Sequence, residues 1–374
     1  MKVSTVRYEH GVWSAAFPSL DSAQTLVVAF CAPGYARRVD LLDELAAAYP
    51  SSVIVGCSTA GEISQTRVVD DSIVVAVVQF ATTRLRWVAC HVAETSNSQA
   101  AGQAVARDLA DPDLRAMFVV AGGVGINGSE LALGLTEHLP KDVAVTGGLA
   151  GDGTRFTSSW VMVGGRPCTD TVVGVGFYGS DLRVSHGSRG GWDAFGPERI
   201  VTSSSGNLLH ALDGRPALEL YKSYLGERAA ELPGSALLFP LAVRSPDGDV
   251  VVRTILGVDE QTQSMRFAGD VPQGRHARLM HANFDRLVLG AHIAGEITAV
   301  PHVGPTLVLA VSCVGRRLVL RDRIEEEVEA TLEPFAPGTT QIGFYSYGEL
   351  SPQEGGRCDL HNQTMTLTAF SEAA

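Results

Sequence analysis

A chain of 374 residues exceeds what one small hydrophobic core organises, and it predicts two domains or three. With 45% hydrophobic and 19% charged residues it has the balance of a packed globular protein, which excludes intrinsic disorder, collagen-like repeats and coiled coil. A formal charge of -12 argues against nucleic acid or an anionic membrane as partner, because phosphate contacts draw on clustered Lys and Arg.

No apolar run approaches the ~18 residues that cross a bilayer. At the start, Tyr8, Glu9 and His10 stand where a secretory signal needs unbroken apolar sequence. The cysteines (Cys31, Cys57, Cys90, Cys168, Cys313, Cys358) are scattered, with no C-x-x-C pair and no zinc-like spacing. Reduced thiols in a cytoplasmic protein are expected.

In chain order, the segment from Leu26 reads LVVAFCAPG, RRVDLLDELAAAY and SVIVGCSTAGEI, a strand–helix–strand pattern of apolar β-branched runs around a helical-period stretch. A second copy starts near Met117 with MFVVAGGVGING, SELALGLTEHL and VAVTGGLAGDG. A third starts near Thr306 with TLVLAVSCVGRR, DRIEEEVEATLEPF and TQIGFYSYGEL. Each copy closes on one signature: Val55-Gly56-(x4)-Gly61-Glu62, Val145-Thr146-(x4)-Gly151-Asp152 and Ile342-Gly343-(x4)-Gly348-Glu349. A further strand follows each, DSIVVAVVQF, DTVVGVGFYG and HNQTMTLTAF, and the first two run on into Leu85-Arg86 and Leu182-Arg183. Three β-α-β-turn-β units are therefore predicted.

Between the second and third units, GSRGGWDAFGPERI (187–200) is rich in Gly and Pro and reads as a long loop. The Pro216 to Leu225 stretch reads as a helix with Pro at its start. Residues 235–270 read as antiparallel strands around the turn Ser245-Pro246-Asp247-Gly248. In ANFDRLVLGAHIAGEI, apolar residues recur at helical spacing and predict a helix packed on the last unit. The fold class expected is α/β: two lobes built from repeated units with mixed sheets. An N-terminal lobe of residues 1–210 would hold two units. A C-terminal lobe of 211–374 would hold the central strands, the helix and the third unit.

Gly123-x-Gly125-x-x-Gly128 lies between a strand and a helix, as in a dinucleotide fingerprint, but the next strand ends in Thr146-Gly147-Gly148 where an acidic residue would hold a ribose. A glycine-rich turn capped by Ser129 is the simpler reading. Gly56-Cys57-Ser58-Thr59-Ala60-Gly61 has its second Gly one residue late for a nucleophile elbow. Cys57 reads as a packed thiol or a nucleophile. Arg316-Arg317, after Cys313, could grip a carboxylate or phosphate, or pair with Glu325, Glu326 or Glu327.

These ordered matches, across nearly the whole chain, resemble the FIST domain, a sensory module of signal-transduction proteins. GCSTAGEI (56–63) and TGGLAGDG (146–153) carry the N-terminal part, about 25–215. ALELYKSYLG (217–226), SCVGRR (312–317), GFYSYGEL (343–350) and LHNQTMTL (360–367) carry the C-terminal part, about 220–370. The stretch GGWDAFGPERIVTSSSGN (190–207) is similar to stand-alone bacterial FIST proteins. The resemblance implies a cytosolic sensor of a small metabolite, such as an amino acid, that acts on a separate signalling protein. In the stand-alone NosP-type subset it implies haem held by a histidine, nitric-oxide sensing and a partner histidine kinase. Haem b is then the possible cofactor, with His361 or His186 as axial ligand, and His281 in Met280-His281-Ala282-Asn283 departs from the generic pattern.

The Gly-rich strand-end turns should line a concave ligand site. Its residues would be Ser58, Thr59, Gly61, Glu62, Gly151, Asp152, Trp192, Cys313, Arg316, Tyr345, Tyr347, Glu349, His361 and Asn362. The alternative function is an enzyme that uses these turns for a nucleotide or acyl substrate. No base–nucleophile pair with an orienting third group can be assembled from adjacent motifs.

Overall fold

The computed structural model describes residues 1–232, 234–244, 250–300, 304–353 and 356–373. After β1 (Lys2–Glu9) and β2 (Val12–Trp13), the first unit runs through β3 (Thr25–Cys31), α1 (Val39–Ala48), β4 (Val53–Ser58), the hairpin β5 (Glu62–Ser64) and β6 (Arg67–Val69), β7 (Ile73–Gln79) and β8 (Arg84–His91). The second has α2 (Ser98–Leu109), β9 (Leu114–Ala121), α3 (Gly128–Thr136), β10 (Ala144–Leu149), the hairpin β11 (Val161–Val163) and β12 (Arg166–Cys168), β13 (Thr171–Tyr178) and β14 (Leu182–Arg189).

The central segment follows as β15 (Asp193–Ser205), β16 (Leu208–Leu212), β17 (Arg215–Pro216), α4 (Ala217–Leu225), β18 (Leu241–Arg244), β19 (Val250–Arg253), β20 (Ile255–Asp259), β21 (Ser264–Phe267) and β22 (His276–His281). After α5 (Phe284–Thr298), the third unit has β23 (Leu307–Cys313), α6 (Val314–Leu320), α7 (Ile324–Leu332), β24 (Thr340–Ser346), the hairpin β25 (Gly348–Pro352) and β26 (Cys358–His361), and β27 (Met365–Glu372).

The three predicted units are present, and each contributes the same three-strand centre. β3 runs parallel to β4 and antiparallel to β7; β9 and β23 repeat this with β10 and β13, and with β24 and β27. These central strands are buried on both faces, which is why they read as unbroken apolar runs rather than alternating ones.

The units exchange their outer strands in a ring. Hairpin β5–β6 extends the third unit's sheet through β24, β11–β12 extends the first through β4, and β25–β26 extends the second through β10. On the opposite edges, β8 joins β13 of the second unit and β14 joins β27 of the third. For the first unit that place is filled by β1 on β7. The ring thus closes across the chain ends, where the Met1 ammonium lies 3.3 Å from the Glu372 carboxylate.

The result is an α/β protein of two lobes with mixed sheets. One lobe is the three-unit ring; the other is the eight-stranded antiparallel sheet of the central segment, covered by α4. The expectation that the third unit would join the central strands is corrected by the pairing. Its sheet is completed by strands of the other two units, and all three contribute to one core, with Phe30 against Phe344 and Phe177 against Phe370, both at 4.7 Å between ring centres.

Helices lie outside this core, as α5 does against α7 with Gly295 close to the Thr331 carbonyl. α2, α3 and α5 open on Asn97, Asn127 and Asn283, whose side chains accept backbone N–H groups. The cap of α3 is therefore Asn127, not Ser129.

Residues 187–200 are mostly strand, not a long loop, with only residues 190–192 between strands. They finish β14 and start β15, with Gly191 and Gly196 at positive φ and an irregular register between Phe195 and Arg199, around Pro197. Gly and Pro here mark a bulge in a paired strand. The antiparallel strands expected over 235–270 are found as β18 to β21. The turn expected at Ser245–Gly248 lies outside the described residues.

Glu372 holds the closure. Burial works to raise its pKa, but the N–H groups of Ala81, Thr82 and Thr83 and the Thr83 hydroxyl outweigh it and bring the carboxyl down to about 2 from 4.5. Its stabilisation is thus complete above pH 4.5 and lost as pH falls through about 2. Urea unfolding across this acid range is expected to show that loss, and Glu372→Gln to reduce the pH dependence while lowering stability at neutral pH.

Candidate functional site

The strand-end turns meet one another at the centre of the ring. Ala60 N–H donates to Tyr345 O, Tyr345 N–H to Gly61 O, Gly151 N–H to Ser58 O and Tyr347 N–H to Leu149 O, all at 2.8–3.0 Å. A Cβ on Gly151 would lie 2.9 Å from Ala60 N. Gly151 therefore serves the approach of backbone to backbone, while Gly61, at positive φ, makes room for the Arg317 guanidinium; neither is among the described residues that line the cleft between the lobes.

The signature acids lock these turns. Glu62 accepts from Thr59 Oγ1 and from Ser72 N–H (3.2 Å) and Oγ (2.6 Å), just before β7. Glu349 repeats the pattern with Ser346 Oγ (2.6 Å) and Thr364 N–H (3.2 Å) and Oγ1 (2.8 Å), just before β27. Asp152 accepts from Tyr347 Oη, the N–H groups of Phe156, Thr157 and Ser158, and Thr157 Oγ1. Ser58 Oγ accepts from Trp160 N–H at 2.9 Å. These side chains join strands rather than face solvent.

Burial pushes Glu62 up to about 7 and Glu349 to about 8, against 4.5. Each carboxyl keeps its proton longer when folded, so the stability it contributes is full below pH 4.5 and falls as pH rises through 7 to 8. Thermal unfolding is expected to show declining stability over that range. Glu62→Gln should flatten part of the decline; an unchanged slope would contradict the assignment. Asp152 is different: burial works against its charge, but Tyr347 and the backbone donors prevail and hold it below the usual carboxylate value.

Arg316 and Arg317 divide the two readings of the sequence between them. Arg316, at 0% exposed, lies 2.5 Å from Glu327 and donates to the carbonyls of Gly190, Gln363 (3.2 Å) and Leu287 (2.8 Å). Glu327 also accepts from Tyr345 Oη at 3.1 Å. Trp192 Nε1 donates to Gln363 O at 2.8 Å, so the tryptophan is part of the same joint between the lobes. Arg317 turns the other way, donates to Ala60 O, pairs with Asp70 at 2.5 Å, and lies over the Tyr345 ring.

Arg317 borders a cleft of about 1630 Å³ between the lobes. The ring wall is Ala60, Gly153, Thr154 and Arg155 with Val314 and residues 317–324; the opposite wall is Phe195, Tyr224, Arg228, Phe239 and His281. Ligand pockets are typically roughly 300–1,000 Å³, so this cleft admits a small molecule with room for closure. Of the site residues expected from sequence, none is among the described residues that line it. Sequence reasoning missed the aromatic wall, whose one available signal was the density of aromatics and Arg between Phe195 and Phe239.

Neither proposed haem histidine is among the described lining residues. His361 Nε2 lies 3.0 Å from Ser351 O, Asn362 Nδ2 donates to His361 O, and burial lowers the pKa of both His361 and His186. His186 is paired with Thr368 between β14 and β27. Among the described residues no group of three His, Cys, Asp or Glu could hold a metal ion. Cys57 and Cys313 are buried thiols pushed up by burial, and all six cysteines are free. At the Gly123–Gly128 turn, a Cβ on Gly123 would lie 1.8 Å from Ala150 O and one on Gly128 2.7 Å from Leu360, so the turn is packed against protein.

A closed ring of three βαβ units with a β-rich second lobe and a cleft between them defines a two-lobed α/β class. The chain belongs to the FIST family: the FIST N domain model matches residues 25–215 and the FIST C domain model residues 217–352. FIST domains are sensory domains that bind small ligands in signal transduction. No curated protein matches the chain. The boundary between the two matches falls after β16, while hairpins β5–β6 and β25–β26 pair across it. Among the described residues no helix is long and apolar enough to cross a membrane.

Proposed function

We propose that this protein senses a small metabolite in the interlobe cleft and passes the signal to a separate signalling protein, such as a histidine kinase. The carrying observation is that the cleft is walled by both lobes, so a ligand that touches both favours their closed arrangement. The joint beside it supports this reading, because Arg316 ties the chain crossing at Gly190 to α5 and α7.

The test is a thermal-shift screen of amino acids and other metabolites on the protein and on Leu318→Trp, which places a large side chain in the cleft. A ligand at 100 times its Kd should stabilise the protein by about 2.7 kcal/mol. Leu318→Trp should lose that shift while unfolding cooperatively without ligand. A ligand that stabilises both equally would place its site elsewhere and overturn the reading.

A haem-based nitric-oxide sensor is the narrower version. His361 and His186 do not fit it: the His361 ring is bonded to Ser351 O, His186 sits partly buried on β14 paired with β27, and neither is among the described residues that line the cleft. The cleft histidine is His281, whose Nδ1 lies 3.2 Å from Ala282 O; as a donor there, it leaves the Nε2 lone pair for a ligand. A Soret band on haem loading that disappears in His281→Ala would support this version, and colourless protein would overturn it.

A further inference from the structure

Resting on the cleft as the ligand site, we infer that it takes a small anion with a planar apolar body, the acid group being a carboxylate or a phosphate. The charge of the cleft is opposite to that of the chain. Its described lining carries five arginines (155, 228, 317, 321, 323) against Glu231 and Asp322, in a protein with 41 acidic and 29 basic residues. Two of the five are already committed to protein carboxylates: Arg317 to Asp70, and Arg323 to Asp285 and Glu326. Arg155 faces Asp152, whose oxygens are already taken by backbone and hydroxyl donors. Arg228 and Arg321 have no carboxylate partner among the described residues, and Arg228 lies over the Phe239 ring at 5.6 Å. Unpaired guanidinium groups in a partly enclosed, aromatic-lined site favour an anion, and their planar forks match carboxylate and phosphate oxygens.

Arg321 supplies a second, independent observation. It holds φ +51° and ψ -119° at the end of α6, a conformation strained for any residue with a Cβ. At the equivalent place after α4 the chain uses Gly226, at φ +58° and ψ -127°. A strained arginine where glycine would sit at ease is explained by a task for its side chain, which borders the cleft. The opposite wall supplies the planar complement: Phe195 packs against Phe239 and His281, each at 6.0 Å, and Tyr224 at 6.4 Å.

Calorimetric titration with phenylacetate and with adenosine 5′-monophosphate, each beside its neutral counterpart (phenylacetamide, adenosine), tests the inference. One acid should bind about tenfold or more tightly than its neutral counterpart, weakening with added salt. Binding by phenylacetate alone would identify a carboxylate, and by the nucleotide alone a phosphate. Arg228→Gln and Arg321→Gly should each lower that affinity about tenfold. Arg321→Gly should also raise the melting temperature, which keeps loss of binding distinct from loss of fold. Neutral counterparts binding as tightly as the acids, undiminished affinity in both variants, or no binding of either acid at millimolar concentration would overturn the anion assignment. The sensor reading would stand or fall separately, on whether Leu318→Trp abolishes the shift by any metabolite.

Discussion

Replacing Arg316 by methionine is expected to destabilise the protein by about 3–5 kcal/mol, because it strips a fully buried carboxylate of its cation. Glu327 would keep only Ser312 Oγ and Tyr345 Oη, at 3.2 and 3.1 Å, and the carbonyls of Gly190, Leu287 and Gln363 would lose their shared donor. The urea midpoint measures this directly. The double variant Arg316→Met/Glu327→Leu should recover much of the loss, since an apolar pair of similar volume avoids the stranded charge. A single variant within about 1 kcal/mol of wild type would mean that water reaches Glu327, against its complete burial. Arg316→Met is also expected to weaken coupling between cleft and partner, because the residue binds the chain crossing, α5 and α7 together.

Alanine at Gly56 or Gly343 is expected to cost about 3 kcal/mol or more and to yield little folded protein. A Cβ at either site would stand 2.0 Å from a carbonyl oxygen of the adjacent parallel strand, Ala29 or Ala310. The obstacle is backbone inside a three-stranded centre, so no side-chain rotation relieves it. Gly34→Ala is the control: nothing lies within 4 Å of its Cβ position, and the change should stay within about 0.5 kcal/mol. Circular dichroism and denaturation midpoints compare the three. Near-wild-type Gly56→Ala or Gly343→Ala would show that the strands separate more readily than their burial suggests.

Much of the fold was legible in the sequence because its signals are local. The repeated signature encodes the same turn in the first and third units, with a hydroxyl three residues before the acid in Thr59 and Ser346 and a hydroxyl donor before the next strand in Ser72 and Thr364. What the pattern could not say is which sheet each hairpin joins. β5–β6 pairs equally well by its local chemistry with its own unit or another, and its partner, β24, lies almost 280 residues away. The expected site residues lie outside the cleft for a related reason. Polar residues at strand ends look like recognition groups until their partners are known, and Glu62, Asp152 and Glu349 find those partners inside the ring. The cleft residues come from segments far apart, Arg155, Phe195, Arg228, His281 and Arg321, none of which carries a motif.

Length, the three repeats, their strand–helix order and the glycine-bearing turns were thus set by the sequence alone, since each depends on contacts within some forty neighbouring residues. The tertiary structure decided the rest: the closed exchange of strands, the turning of Arg316 inward and Arg317 toward the cleft, and the pairing of an aromatic wall with an arginine wall. These depend on which distant surfaces meet, and that is governed by burial of the shared core rather than by any local preference.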